Sequence, residues 1–175
     1  MADEQLAHCL SVDQVRQLAE RRLPMPIFDC MSDGIGDGIT FRRNIKDFEK
    51  YPLRPQVLRD VSAPTTEVDV LGSRLAFPLI LSPTGWQGII WPDGEVAAAR
   101  AAAAAGIMYG LSCFANASLE EVAAAGSGAR LFQLYGLVDD YIMHDLVERA
   151  AAASYSALCI TVDVPVFSPL EKLHR

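Results

Sequence analysis

The chain has 175 residues, 51% of them hydrophobic, and a formal net charge of −7. One domain with an ample apolar core is expected at this length. No run of lysine and arginine exceeds two residues, so the basic footprint of a nucleic-acid partner is missing, and no run reaches the roughly 18 apolar residues of a membrane span.

In chain order, the acidic start MADEQ lacks the charged-then-apolar layout of a signal peptide. The final Leu173-His174-Arg175 is not a peroxisomal tripeptide, so a cytoplasmic address is the expectation. Ser11 and Gln14 have the spacing of a capping box for a helix that runs to about Arg22 and breaks at Pro24. A second helix is predicted near 40–50. The pairs Arg21, Arg22 and Arg42, Arg43 read as solvated helix faces. Residues 67–75 (EVDVLGSRL) alternate around Leu71-Gly72 and predict a hairpin at the bottom of whatever sheet follows.

Four strand–turn–helix units come next. The run 79–81 is short and unalternating, which suits a strand covered on both faces. It ends in Pro83, Thr84 and Gly85, where the missing side chain lets a flat ligand press on the backbone. Pro92 and Asp93 open an alanine-rich helix that stops at Gly106, the position of a left-handed cap. Strand 107–112 leads to a capping box of Ser118 with Glu121, whose helix closes at Gly126. Strand 129–134 precedes a helix over about 139–153, and strand 157–162 ends at Asp163 and Pro165. Strand starts recur roughly every 25 residues, as in repeated supersecondary units, and the alternation implies parallel strands.

A doubly wound sheet and a (β/α)8 barrel both fit that alternation. Polar or small residues end every strand: Thr84, Ser112, Gln133 with Tyr135, and Thr161 with Asp163. Delivery of each strand to one mouth favours the barrel, since an open sheet concentrates its ligand at one switch point. A whole barrel needs roughly 250 residues, so this chain supplies about four of the eight strands. Cys9, Cys30, Cys113 and Cys159 show no C-x-x-C spacing. Cys113 and Cys159 read as small buried hydrophobes, and no metal site is expected.

The strings RRLPMPIFD, LRPQVLRDVS, TTEVDVLGSRLAFPLILSPTGWQG, FQLYG and ITVDVP, in that order, resemble the N-terminal half of the FMN-dependent α-hydroxy-acid oxidases and dehydrogenases. That family includes glycolate oxidase, lactate oxidase and mandelate dehydrogenase. The resemblance implies a partial (β/α)8 barrel within one domain, 1–175, with N-terminal helices and hairpin in 1–76 and the first barrel half in 77–175. It implies FMN as cofactor and a small 2-hydroxy acid as substrate. Pro83, Thr84 and Gly85 match backbone that faces the flavin ring. Ser112, Gln133 and Thr161 match side chains that hydrogen-bond it or its ribityl chain, and amides and hydroxyls can serve as donor or acceptor. Tyr135 matches a tyrosine that contacts substrate, and Asp163 a carboxylate that stabilises the catalytic histidine.

The departures from the family pattern matter as much. Cys30 stands where the family has a substrate-binding tyrosine, Gly34-Ile35-Gly36-Asp37-Gly38 loosens a following motif, and Phe114 replaces a usual tryptophan. Pro169-Leu170 stands where the family has an arginine pair. The catalytic histidine, its neighbouring arginine, the flavin-contacting lysine and the phosphate loops belong to the family's other half. His8, His144 and His174 all lie off the strand ends. Loss of an acid/base costs about 10²–10⁴-fold in rate. The expectation is a half-enzyme (a fragment, a truncated isoform or a degraded copy) without turnover alone. The alternative is a half-barrel binding or assembly module that pairs with a second copy or with a separate C-terminal half.

Overall fold

A computed structural model describes residues 2–32, 34–136 and 139–163. Contacts divide the chain at Arg59 and Asp60 into two compact units. Pro165, Pro169-Leu170 and His174, singled out in the sequence, lie outside the described residues.

The first unit is helical: α1 (Ala2–Ala7), α2 (Val12–Arg22), α3 (Met25–Ser32) and α4 (Ile39–Lys46), the last continued by a 3-10 turn at Asp47–Lys50. Ser11 caps α2 by accepting from Gln14 N, while Gln14 Oε1 accepts from Leu10 N rather than from the Ser11 amide. The reciprocal box is therefore shifted by one residue. Pro24 separates α2 from α3, a helix that the sequence reading passed over. Its Met-Pro start places the proline in the first turn, where no helical donor is lost. Arg21, Arg22, Arg42 and Arg43 are exposed.

The second unit opens with a hairpin, β1 (Val68–Val70) and β2 (Ser73–Leu75). Leu71 and Gly72 both turn through positive φ, 48° and 75°, as a two-residue hairpin that matches strand twist requires. Four parallel strands follow: β3 (Ile80–Leu81), β4 (Met108–Ser112), β5 (Arg130–Tyr135) and β6 (Ala157–Thr161). Helices α5 (Gly94–Ala105), α6 (Leu119–Ala124) and α7 (Asp140–Ala152) connect them. The spatial order β3-β4-β5-β6 is the chain order. A doubly wound sheet reverses direction at a switch point. Strands laid down in sequence, each crossover moving one step the same way, are those of a barrel wall.

The two faces of this wall differ because strand side chains alternate. Tyr109, Leu111, Phe132 and Leu134 pack with Ala99, Ala102, Leu119, Val122, Ala150 and Tyr155 into the main core beneath the helices. The other face starts at the strands' amino ends with Met108 and Leu131, buried against Leu75 of the hairpin. The hairpin thus closes that end of the sheet, as its sequence implied. Arg130, at the start of β5, is buried and donates to the carbonyls of Gly126, Gly128 and Ala153, tying the turns on either side of the strand.

Several local expectations are corrected. The first strand is shorter than 79–81, with Leu79 exposed and Ile80 and Leu81 only half-buried, because β3 is an edge strand. Asp93 makes no side-chain cap for α5; its own backbone is left-handed, at φ 56°. Gly106 is the left-handed stop expected, at φ 66°. Gly126 is not: α6 ends in a right-handed turn at Ala125. Cys159 is exposed rather than buried, since it points from edge strand β6 to the open face.

Candidate active site

At the carboxyl ends of β4, β5 and β6, polar side chains replace apolar ones on the open face. Ser112 and Gln133 are buried and paired in register across β4 and β5. Ser112 Oγ donates to Gln133 Oε1 at 3.1 Å and accepts from Phe114 N at 3.2 Å. Gln133 Nε2 donates to Thr161 Oγ1 at 2.7 Å. One hydrogen-bond chain therefore crosses three successive strand ends. It fixes the amide orientation of Gln133, because the carbonyl must face Ser112 and the NH2 must face Thr161. The Thr161 hydroxyl accepts within this chain, and among the described residues it has no acceptor for its own proton.

These groups line a cleft of about 320 Å³ with Pro83, Gly85, Trp86, Phe114, Tyr135 and Cys159. Pro83 lies over β4 because Gly110 leaves room: a Cβ there would come within 2.7 Å of the proline ring. Gly85 presses on Phe114 in the same way, with a Cβ at 3.0 Å from that side chain. The aromatic rings run in series, Trp86 to Phe114 at 5.9 Å between centroids and Phe114 to Tyr135 at 5.2 Å. Both pairs are tilted, within the range where aromatic contacts are favourable. The cleft thus has a wall of proline, glycine and rings beside a row of amide and hydroxyl groups. Such a lining suits a flat heteroaromatic ligand with donors and acceptors along one edge.

Of the residues singled out from sequence, Pro83, Gly85, Ser112, Gln133, Tyr135 and Thr161 come together in this cleft. Thr84 does not line it; its side chain is turned back to the carbonyl of Ser82, and its own carbonyl accepts from Gln87 Nε2. Asp163 is exposed just beyond β6, outside the lining. Cys30 is an exposed residue of α3 in the helical unit. Trp86 and Cys159 were missed. Cys159 stands two residues before Thr161 on one strand, so period-two alternation alone puts it on the same face.

A model of the FMN-dependent dehydrogenase family matches residues 19–175. The chain belongs to that family. Glycolate oxidase 1 of Oryza sativa subsp. indica is 39% identical over 155 residues, covering 89% of this chain and 42% of that protein. The 2-hydroxyacid oxidase 2 of Rattus norvegicus is 42% identical over 149 residues, 85% of this chain and 42% of its own length. Among solved structures, a soluble mutant of the membrane-associated (S)-mandelate dehydrogenase from Pseudomonas putida superposes with a TM-score of 0.89 at 36% identity. The match covers 95% of this chain and 48% of that one. The chain spans less than half the length of the relatives it matches. Family membership and sheet order agree on a partial TIM barrel. Among the described residues, no helix is long and apolar enough to cross a membrane.

Proposed function

We propose that this chain carries the flavin-edge half of an FMN-dependent oxidase or dehydrogenase of small 2-hydroxy acids, and that it has no turnover alone. The observation that carries the reading is the Ser112–Gln133–Thr161 chain, opening into a cleft walled by Pro83 and Gly85. Ser112, Gln133 and Thr161 would hold the polar edge of the isoalloxazine, and the side-chain-free backbone at Gly85 would take its face. Bound FMN supplies a two-electron acceptor for the substrate's α-hydrogen, which leaves a 2-oxo acid. The Tyr135 hydroxyl is assigned to the substrate, at the cleft rim beside Phe114. Asp163 is assigned to orient a histidine base, and among the described residues neither His8 nor His144 lies at a strand end. Cys30, in place of a tyrosine, removes one hydrogen bond to the substrate. The reading takes 1–175 as one partial domain of the family.

The test is FMN titration followed by flavin fluorescence, with thiol labelling as a second readout. FMN is expected to slow alkylation of Cys159 in a background with Cys9 and Cys30 replaced by serine. Gln133→Leu should abolish that protection by breaking the chain at its centre. Labelling that ignores FMN would sink the cofactor assignment. Anaerobic bleaching of bound flavin by glycolate, lactate or mandelate would overturn the claim that the chain is inactive alone.

A second reading, the assembly module, is favoured by one observation. Strands β3 and β6 are sheet edges, and the outward Leu158 and Ile160 of β6 are 45% and 62% exposed. Pairing with a second copy or with a complementary half would cover them.

A further inference from the structure

Glu95, in the first turn of α5, is 1% exposed, yet among the described residues no basic side chain joins the hydrogen bonds around it. A buried carboxylate is costly unless hydrogen bonds replace its water. Here one oxygen, Oε1, accepts from two backbone amides of different loops: Gln87 N at 2.9 Å, after β3, and Asn116 N at 3.0 Å, after β4. Gln87 directly follows the cleft residue Trp86, and Asn116 lies two residues beyond the cleft residue Phe114.

Further bonds run parallel to this one. Trp86 N donates to Phe114 O, and Gly88 N donates to Asn116 Oδ1, both at 3.0 Å. Gln87 Nε2 donates to the Thr84 carbonyl at 3.1 Å and to the Tyr109 hydroxyl at 3.3 Å. The β3–α5 connection folds back on itself so closely that a Cβ on Gly94 would lie 2.4 Å from the Gln87 carbonyl carbon, and the two loops meet so closely that one on Gly88 would lie 3.0 Å from Asn116 Oδ1. Trp86 and Asp93, either side of the tied segment, are both non-glycine residues at φ 56°. Left-handed backbone of this kind persists only where the surroundings over-determine it.

We infer that Glu95 is a positioning residue: its buried carboxylate clasps the β3–α5 loop to the β4–α6 loop and thereby sets the shape of the Pro83–Trp86 and Phe114 walls of the cleft. It touches no ligand. Its effect on ligand affinity passes through Gln87 to Trp86 and through Asn116 to Phe114. That affinity rests on the FMN assignment above, whereas the clasp does not.

The experiment compares the wild-type chain with Glu95→Ala, Glu95→Gln and Asn116→Ala by residue-resolved amide exchange and by FMN titration. Glu95→Ala is expected to speed exchange at Gln87 and Asn116 at least hundredfold, with Leu111 and Phe132 unchanged, and to weaken FMN at least tenfold. Glu95→Gln keeps an acceptor and should restore affinity to within threefold. Asn116→Ala, which severs only the Gly88 bond, should speed Gly88 alone. Glu95→Asp, one methylene too short to reach both amides, serves if Glu95→Ala fails to fold and should speed Gln87 and Asn116 with Leu111 and Phe132 unchanged. Uniform acceleration of all amides, or unchanged FMN affinity with faster loop exchange, would overturn the inference. If the wild-type chain binds no FMN, the cofactor assignment fails, and the exchange pattern alone decides for or against the clasp.

Discussion

At the residue scale, close approach governs this site more than polarity does. Gly94 is the sharpest case, because the atoms that a Cβ would strike, Gln87 C at 2.4 Å and O at 2.6 Å, are backbone and cannot rotate away. Gly94→Ala is expected to cost about 2 kcal/mol, within the range of overpacked sites. Gly136→Ala, where a Cβ meets nothing within 4 Å, should stay within about 0.5 kcal/mol; urea midpoints of the two variants check this. Tyr109 gives a second handle. Its phenol is pushed up to about 12 by burial first and the Glu95 charge second, against a smaller opposing effect of Gln87. A raised folded pKa means that its contribution is intact below the ordinary value of 10 and is lost as pH climbs towards 12. Stability measured from pH 9 to pH 12 should therefore fall less steeply in Tyr109→Phe than in wild type. Equal slopes would show that the phenol ionises without cost.

At the scale of elements, helix caps and an interhelical ion pair hold α6 and α7 in place. The Ser118–Glu121 box is complete, and Ser118→Ala should cost about 1 kcal/mol. Arg149 of α7 reaches Glu120 of α6 with two bonds of 2.9 Å, in a bidentate arrangement. That hydrogen bonding lowers the Glu120 carboxyl from its usual 4.5 to about 2. A depressed folded pKa places the stabilisation above 4.5, to be lost as pH falls towards 2. The difference in denaturation midpoint between wild type and Glu120→Gln should accordingly shrink over that window. Because the pair is exposed, the difference should be small at any pH. The legible elements share a cause: Ser118, Gly106 and the Leu71-Gly72 turn are local signals, read over a few residues. Helix α3 was not legible, since its MPIFDCMS offers neither a cap nor a clear stripe. The exposure of Leu79 and Cys159 was not legible either, because it depends on which strand lies at an edge. In the candidate site, strand-end polarity singled out Ser112, Gln133 and Thr161, and the family resemblance supplied their expected roles. The role of Glu95 escaped because its partners are backbone amides 8 and 21 residues away, which leave no mark in side-chain pattern.

At the scale of the whole chain, the open strand edges are the dominant physical fact. An edge strand offers a row of backbone donors and acceptors to any matching strand, and natural sheets blunt such edges with charge, proline or cover. Strand β6, ALCIT, carries no charge and no proline. Its outward Leu158 and Ile160 are exposed, and Val162 just beyond it is 87% exposed. Among the described residues the strand therefore combines unpaired backbone with apolar surface, the pairing that drives association. In solution the chain should sediment as a concentration-dependent assembly, while Leu158→Lys with Ile160→Lys shifts it towards monomer. Neither position lines the cleft, so the double variant should leave FMN-dependent protection of Cys159 in place. Assembly lost with protection retained would separate the edge from the site. Assembly unchanged by two added charges would mean that β6 is not the associating surface, and the assembly reading would lose its support. If both are lost together, pairing at β6 completes the cleft, since Thr161 and Cys159 stand on that same strand. The half-barrel would then bind its cofactor only as an assembly.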